Sequence, residues 1–279
     1  PFILEIRDIW PESILAVGAM KKSVVIRVLE WLELRMYASA SHIVTVGDGY
    51  RQKLLEKGVP DSCISVVMNG VDREFYTPRP PDDMLRDRWG IKDKFVCGYV
   101  GTIGMACGLD TVLDAAQSLK ARGEDDVVFL LVGDGAIKDE LESKAKSLDL
   151  KNVIFTGRQP KGQMPDYLSL MDVSLVCLRK SNLFKTVMPS KIFEAAAMRK
   201  PIINSVAGFA SDFIQKAHAG ISIEPENPAQ LVDAVLLLKN NPDMRAQYGA
   251  SGMECVFSNY DRKELAAKYL SIIERIANP

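Results

Sequence analysis

The chain has 279 residues, room for one large domain or two ordinary ones, and its 47% hydrophobic and 25% charged content excludes a disordered chain. A formal net charge of −1 excludes general electrostatic affinity for nucleic acid. The five cysteines (Cys63, Cys97, Cys107, Cys177, Cys255) lack CxxC spacing and read as reduced thiols of a cytosolic protein, while His42 and His218 have no company suited to a metal site.

The opening hexamer, Pro-Phe-Ile-Leu-Glu-Ile, reads as a buried strand. Neither an initiator Met nor a signal peptide precedes it, so the chain is expected to begin inside a domain. No run approaches the roughly 20 apolar residues of a membrane span. A helix is expected over 24–37, a strand over 43–46, a helix over 50–57 and a strand over 64–68. Pro78, Pro80 and Pro81 then mark a linker, which places a domain boundary near residue 80.

From 86 to 255 the pattern is strand, turn, helix, repeated. All-apolar strands are expected at 95–100, 127–132, 153–155, 173–178, 201–205 and 220–223. Helices are expected at 109–121, 137–148, 164–171, 190–198, 212–217 and 228–239. Short apolar strands alternating with amphipathic helices predict an α/β fold with a parallel sheet covered on both faces. Residues 1–80 would be the C-terminal part of one such domain and 81–258 a second. A last helix over 262–276, within the segment 259–279, would cross back to the first.

Ligands of such sheets bind beyond the carboxyl ends of the strands. The informative loops are therefore 101–108, 133–135, 157–161 and 179–190. The stretch 185–203 is the most pointed. It holds a polar loop, Pro189, and a short helix with Glu194 in its first turn. A carboxylate accepts two hydroxyl donors at once, as a ribose offers, and free N–H groups at a helix start favour an anion.

Five segments in this order carry a resemblance: Asn69-Gly-Val-Asp-Arg-Glu-Phe75, Val132-Gly-Asp-Gly135, Phe155-Thr-Gly157, Pro189-Ser-Lys-Ile-Phe-Glu194, and Glu5-Ile-Arg-Asp-Ile-Trp-Pro-Glu12. Together they resemble family-4 retaining glycosyltransferases, which have the GT-B fold of two Rossmann-like domains; here the N-terminal one would be incomplete. The last segment is similar to a fucosaminyltransferase-like subgroup of surface-polysaccharide and O-antigen (lipopolysaccharide) assembly. The resemblance implies sugar transfer from a nucleotide donor, with UDP expected, to a hydroxyl of a glycan or polyprenyl-diphosphate-linked acceptor. It implies retention of configuration, no cofactor and no metal.

It also implies roles. Glu194 would take the nucleotide ribose. Lys191, Lys185, Ser190 and Met188 would surround the diphosphate with the helix start. Gly101, Thr102, Gly104, Gly133 and Gly135 would let backbone approach the donor. Arg158 and Lys161 would add positive charge. Thr186 stands where the family has a first catalytic acid, and Thr102 and Cys107 stand about where its basic loop residues fall. Arg7, Asp8 and Glu12 would face the acceptor, with Asp8 near a position where related enzymes carry a catalytic His. Arg7 and Asp8 read equally well as a structural pair. The helix over 21–37, with Lys21, Lys22, Arg27 and Arg35, reads first as an ordinary core helix, its basic character diluted by Glu30 and Glu33, and second as one suited to an anionic membrane surface. The expected place is the cytoplasm or the cytoplasmic face of the membrane. A nucleotide-sugar 2-epimerase and an inactive donor-binding module are the alternatives.

Overall fold

The computed structural model describes residues 1–278 and contains two parallel sheets. The first has three strands, β1 (Ile3–Ile6), β2 (His42–Thr45) and β3 (Ile64–Val66), paired in that order. Helices α1 (Glu12–Ala16) and α2 (Val24–Ser39) separate β1 from β2, and α3 (Asp48–Glu56) follows β2. All four residues of β2 are buried, as expected of a parallel strand covered on both faces.

The second sheet has six strands: β4 (Phe95–Val100), β5 (Val127–Val132), β6 (Val153–Gly157), β7 (Val173–Cys177), β8 (Ile202–Ser205) and β9 (Gly220–Ser222). Their order is β6-β5-β4-β7-β8-β9, all parallel. This is the doubly wound order, in which the winding reverses between the first and fourth strands, here β4 and β7. The helices around it are α4 (Asp83–Trp89), α5 (Asp110–Ala121), α6 (Lys138–Ser147), α7 (Met164–Ser169), α8 (Lys191–Ala197), α9 (Phe209–Lys216), α10 (Pro228–Asn240) and α11 (Pro242–Asn259). A final helix, α12 (Arg262–Ala277), lies on the first sheet, with Ile272 packed among Val44 and Val67.

Three helices are absent from the sequence expectations: the five-residue α1, α4 and α11. The α4 signals are present but short: Asp82 accepts a hydrogen bond from the Leu85 N–H at 3.1 Å, and Gly90 closes the helix at φ 65°. The 18-residue α11 carries no clear apolar stripe. Its Gly249 and Gly252 interrupt the period and instead let the helix approach its neighbours closely. A Cβ at Gly249 would stand 2.4 Å from the Arg199 carbonyl oxygen. Tertiary contact, not periodicity, makes this segment helical.

The two units share a core. Leu183 and Phe184, from the loop after β7, pack among Ile6, Ile43 and Leu54 of the first unit. Gly49 of α3 sits against the Thr186 backbone, where a Cβ would come within 2.4 Å of its carbonyl oxygen. At the other end the chain recrosses beside the NGVD segment: the Val71 N–H donates to the Tyr260 carbonyl at 2.9 Å, and the Arg262 N–H donates to the Val71 carbonyl at 3.0 Å.

Candidate active site

The loops after β4, β5 and β6 stack backbone on backbone. The Gly101 N–H donates to the Val132 carbonyl at 2.9 Å, the Ile103 N–H to the Asp134 carbonyl at 2.9 Å, and the Gly133 N–H to the Gly157 carbonyl at 3.2 Å. Glycine is required for this closeness. Gly133 has φ 146°, and a Cβ on it would stand 1.9 Å from the Gly101 carbonyl oxygen. Gly135 is equally confined, with the Ile103 carbonyl oxygen 2.4 Å from its would-be Cβ. The stacked loops wall a cleft of about 540 Å³ lined by Gly101, Thr102, Gly133, Asp134, Gly135 and Arg158, a volume within the usual range for small-molecule sites. Gly104, at the foot of the first loop, starts a tight turn, 105–107, that ends on Cys107.

Helix α8 brings the charged groups to this region. Its apolar face is fully buried, and Phe193 stacks in an aromatic cluster with Tyr260 at 4.9 Å and Phe213 at 5.6 Å between ring centroids. That packing fixes the two polar positions, Lys191 and Glu194, one turn apart on the other face. The Lys191 ammonium lies 3.7 Å from the centroid of the Tyr99 ring. It also reaches the first loop: a Cβ at Gly101 would be 3.1 Å from its Nζ. Burial lowers the Lys191 pKa below the usual lysine range, against the opposing pull of Cys107, Cys177 and Glu194. Burial likewise raises the Glu194 carboxyl above its ordinary value of 4.5, while the Tyr76 hydroxyl and the charges of Lys191, Arg262 and Lys161 act the other way.

The remaining predicted residues fall into three groups. Ser190, at the start of α8, caps nothing and lines a second cleft of about 400 Å³ between the two units, with Glu194, Arg7, Asn69 and Arg262. Lys161 stands near Glu194, Lys185 is exposed, and Met188 packs against the second unit's core. Thr186 donates its hydroxyl to the Leu183 carbonyl at 2.7 Å, so its one proton is already used. On the first unit, Arg7 bonds Glu5 and Asn69, both at 2.8 Å, and does not pair with Asp8. Asp8 is exposed, and its charge adds to burial in raising the pKa of the Tyr50 hydroxyl. Glu12 is drawn into an ion cluster: it lies 3.2 Å from Lys57, which also meets the buried Glu33 carboxylate at 2.7 Å. Tyr37 donates to one oxygen of the same Glu33 carboxylate, Oε1, at 2.5 Å.

Three residues of the site carried no signal in the sequence. Tyr76, just beyond the NGVD segment, faces Glu194; burial and that carboxylate both raise its hydroxyl's pKa. Tyr99 reads as an ordinary apolar strand residue. Arg262 belongs to α12, nearly 70 residues beyond Glu194 in sequence, and only the recrossing of the chain brings it to the cleft.

Comparison with known proteins agrees with this picture. Among curated relatives, the probable glycosyltransferase WbjE of Pseudomonas aeruginosa is 28% identical over 243 residues, 84% of this chain and 59% of the relative. The putative teichuronic acid biosynthesis glycosyltransferase TuaH of Bacillus subtilis is 27% identical over 237 residues, 83% of this chain and 57% of the relative. The chain thus spans a little under 60% of the length of these two relatives. Among solved structures, Anabaena HepE in complex with UDP and glucose superposes with a TM-score of 0.80 at 20% identity, covering 100% of this chain and 72% of HepE. The architecture is accordingly the GT-B fold, two Rossmann-like units facing a common cleft. The model of the glycosyl transferases group 1 family matches residues 82–254, more than half of the chain, and this chain belongs to that family.

Proposed function

We propose that this chain carries the donor site of a retaining glycosyltransferase that moves a sugar from a UDP-sugar to a hydroxyl of a glycan or polyprenyl-diphosphate-linked acceptor in cell-surface polysaccharide synthesis. One observation carries the reading. Lys191 and Glu194, a cation and a ribose-suited carboxylate one helical turn apart, are fixed by the Phe193 packing beside a glycine-walled cleft. The relatives' names and the UDP held by HepE support it.

In this reading Glu194 accepts the ribose hydroxyls and the Lys191 ammonium meets the diphosphate. The C1–O bond to the diphosphate breaks, the acceptor oxygen bonds C1 from the same face, and its proton passes to the departing diphosphate oxygen. Lys191, with Lys161 and Arg158 nearby, stabilises the charge that develops on the leaving group. Arg7, Asn69 and Ser190 line the adjoining cleft, which Glu194 also borders and where an acceptor would enter. The full-length protein with isotopically labelled UDP-sugar and a lipid-linked acceptor should yield labelled glycolipid with the donor's anomeric configuration. UDP binding without turnover of any donor would sink the proposal and favour an inactive donor-binding module, the reading that the uncharged Thr186 favours. A Thr186→Glu variant that gained no turnover would agree with such a module.

The acceptor's lipid anchor suggests a membrane contact through α2. Val24, Val28 and Trp31 are half or more exposed there, beside Lys21, Lys22, Arg27 and Arg35. No helix among the described residues is long and apolar enough to cross a membrane, so such contact would be peripheral. The full-length protein should sediment with vesicles containing anionic phospholipid and lose this on Val28→Glu with Trp31→Glu. Equal sedimentation of the double variant would count against it.

A further inference from the structure

We infer that Tyr99 is a positioning residue of the donor site: its ring face seats the Lys191 ammonium, and its hydroxyl latches the loop that walls the cleft. The inference rests on the reading of Lys191 as the cation that meets the donor diphosphate.

Tyr99 is fully buried in β4, and a core aromatic need only fill space. Here both ends of the side chain do polar work. The hydroxyl donates to the Thr102 carbonyl at 2.7 Å, and the Cys107 thiol donates to the same oxygen at 3.1 Å. Two donors thus pin the carbonyl in the middle of the 101–104 segment. The ring face lies 3.7 Å from Lys191 Nζ.

The seat has a specific electrostatic consequence. Among the described residues no carboxylate forms an ion pair with Lys191; the titratable groups that bear on it are the Cys107 and Cys177 thiols and Glu194. A carboxylate partner would neutralise the ammonium and compete with a diphosphate for it. The negative face of an aromatic ring holds a cation without neutralising it and leaves N–H donors free on the far side. Thr102 and Cys107 give the first loop no charge of its own. Lys191 reaches that loop from α8, and a Cβ at position 101 would crowd its Nζ at 3.1 Å. Tyr99 therefore joins two tasks, placing the charge and holding the backbone beside it.

The test uses the full-length protein with lysine side chains labelled for NMR, and UDP as the probe. In the native protein the Lys191 Cε signal should be shifted upfield by the ring. Tyr99→Phe should keep that shift, because the ring remains, and weaken UDP about threefold through loss of the latch. Tyr99→Leu should abolish the shift and weaken UDP about tenfold. On a Lys191→Ala background, Tyr99→Leu should cost only about the threefold of the lost latch, since the seat has nothing left to hold. Fully additive losses would overturn the inference, as would an unshifted Lys191 signal in the native protein. Should Tyr99→Leu fail to fold, unchanged UDP affinity in a folded Tyr99→Phe would overturn the latch. A shifted Lys191 signal with no UDP binding would overturn the donor reading and leave the seat standing.

Discussion

Glu194→Ala is expected to lower kcat/KM for sugar transfer by about 10²-fold or more and UDP affinity by about tenfold, measured by turnover assay and calorimetry. The substitution removes the acceptor that two ribose hydroxyls would share, in a site already partly closed to water. Glu194→Gln separates binding from stability. Burial raises the folded-state pKa of Glu194 above its ordinary 4.5, so ionising it costs the unliganded fold free energy. Below about pH 4.5 the carboxyl is protonated in both folded and unfolded states and nothing is lost. As pH rises through the raised folded value the penalty grows, and above it the penalty is complete. At neutral pH the unliganded Glu194→Gln protein should therefore melt at a higher Tm than the native one, while gaining less Tm from added UDP. A Glu194→Gln variant with lower Tm and unchanged UDP response would show that Glu194 is a structural group and not a ligand-binding one.

Gly133→Ala is expected to cost about 3–5 kcal/mol of stability, read from chemical denaturation of the full-length protein. The new Cβ would lie 1.9 Å from the Gly101 carbonyl oxygen at φ 146°, so two penalties fall on one atom: a backbone clash and a conformation that L residues rarely adopt. Relief requires parting the loops after β4 and β5, which also breaks the bond from the Gly101 N–H to the Val132 carbonyl. UDP binding should fall with the stability. Gly162→Ala is the control, because no atom lies within 4 Å of its would-be Cβ and it should stay near native stability. Equal stability of the two variants would contradict the stacked-loop description.

Much of the fold was legible in the chain because parallel strands buried on both faces must be continuously apolar. Strands β4 and β5 fall on the expected residues for that reason, and the neighbouring helices end within a few residues of expectation. Helix α11 was not legible, since Gly249 and Gly252 trade an apolar stripe for close backbone contact. Within the site, the glycines announced themselves as turns, yet their reason was hidden. They let three loops touch one another, a pairwise distance that no local pattern encodes. Arg7 offered two readings in sequence, an acceptor-facing residue or a structural partner of Asp8, and the structure pairs it with Glu5 and Asn69 instead of Asp8.

By itself, the sequence determined the periodic features: the alternation that demands a covered parallel sheet, the order of the loops at its carboxyl edge, and the presence of Lys191 and Glu194 in the first turn of one helix. These are local properties, set by residue spacing along the chain. Only the tertiary structure decided the surroundings of those two side chains. The Tyr99 ring under Lys191, and Tyr76 and Arg262 beside Glu194, come from segments about 70 to 120 residues away. Their meeting depends on strand order, on the recrossing of α12 and on the loop after β7 entering the first unit's core. Charge type is written in the residue; how that charge is desolvated, seated or partnered is a matter of distance, and distance is fixed only when the chain has folded.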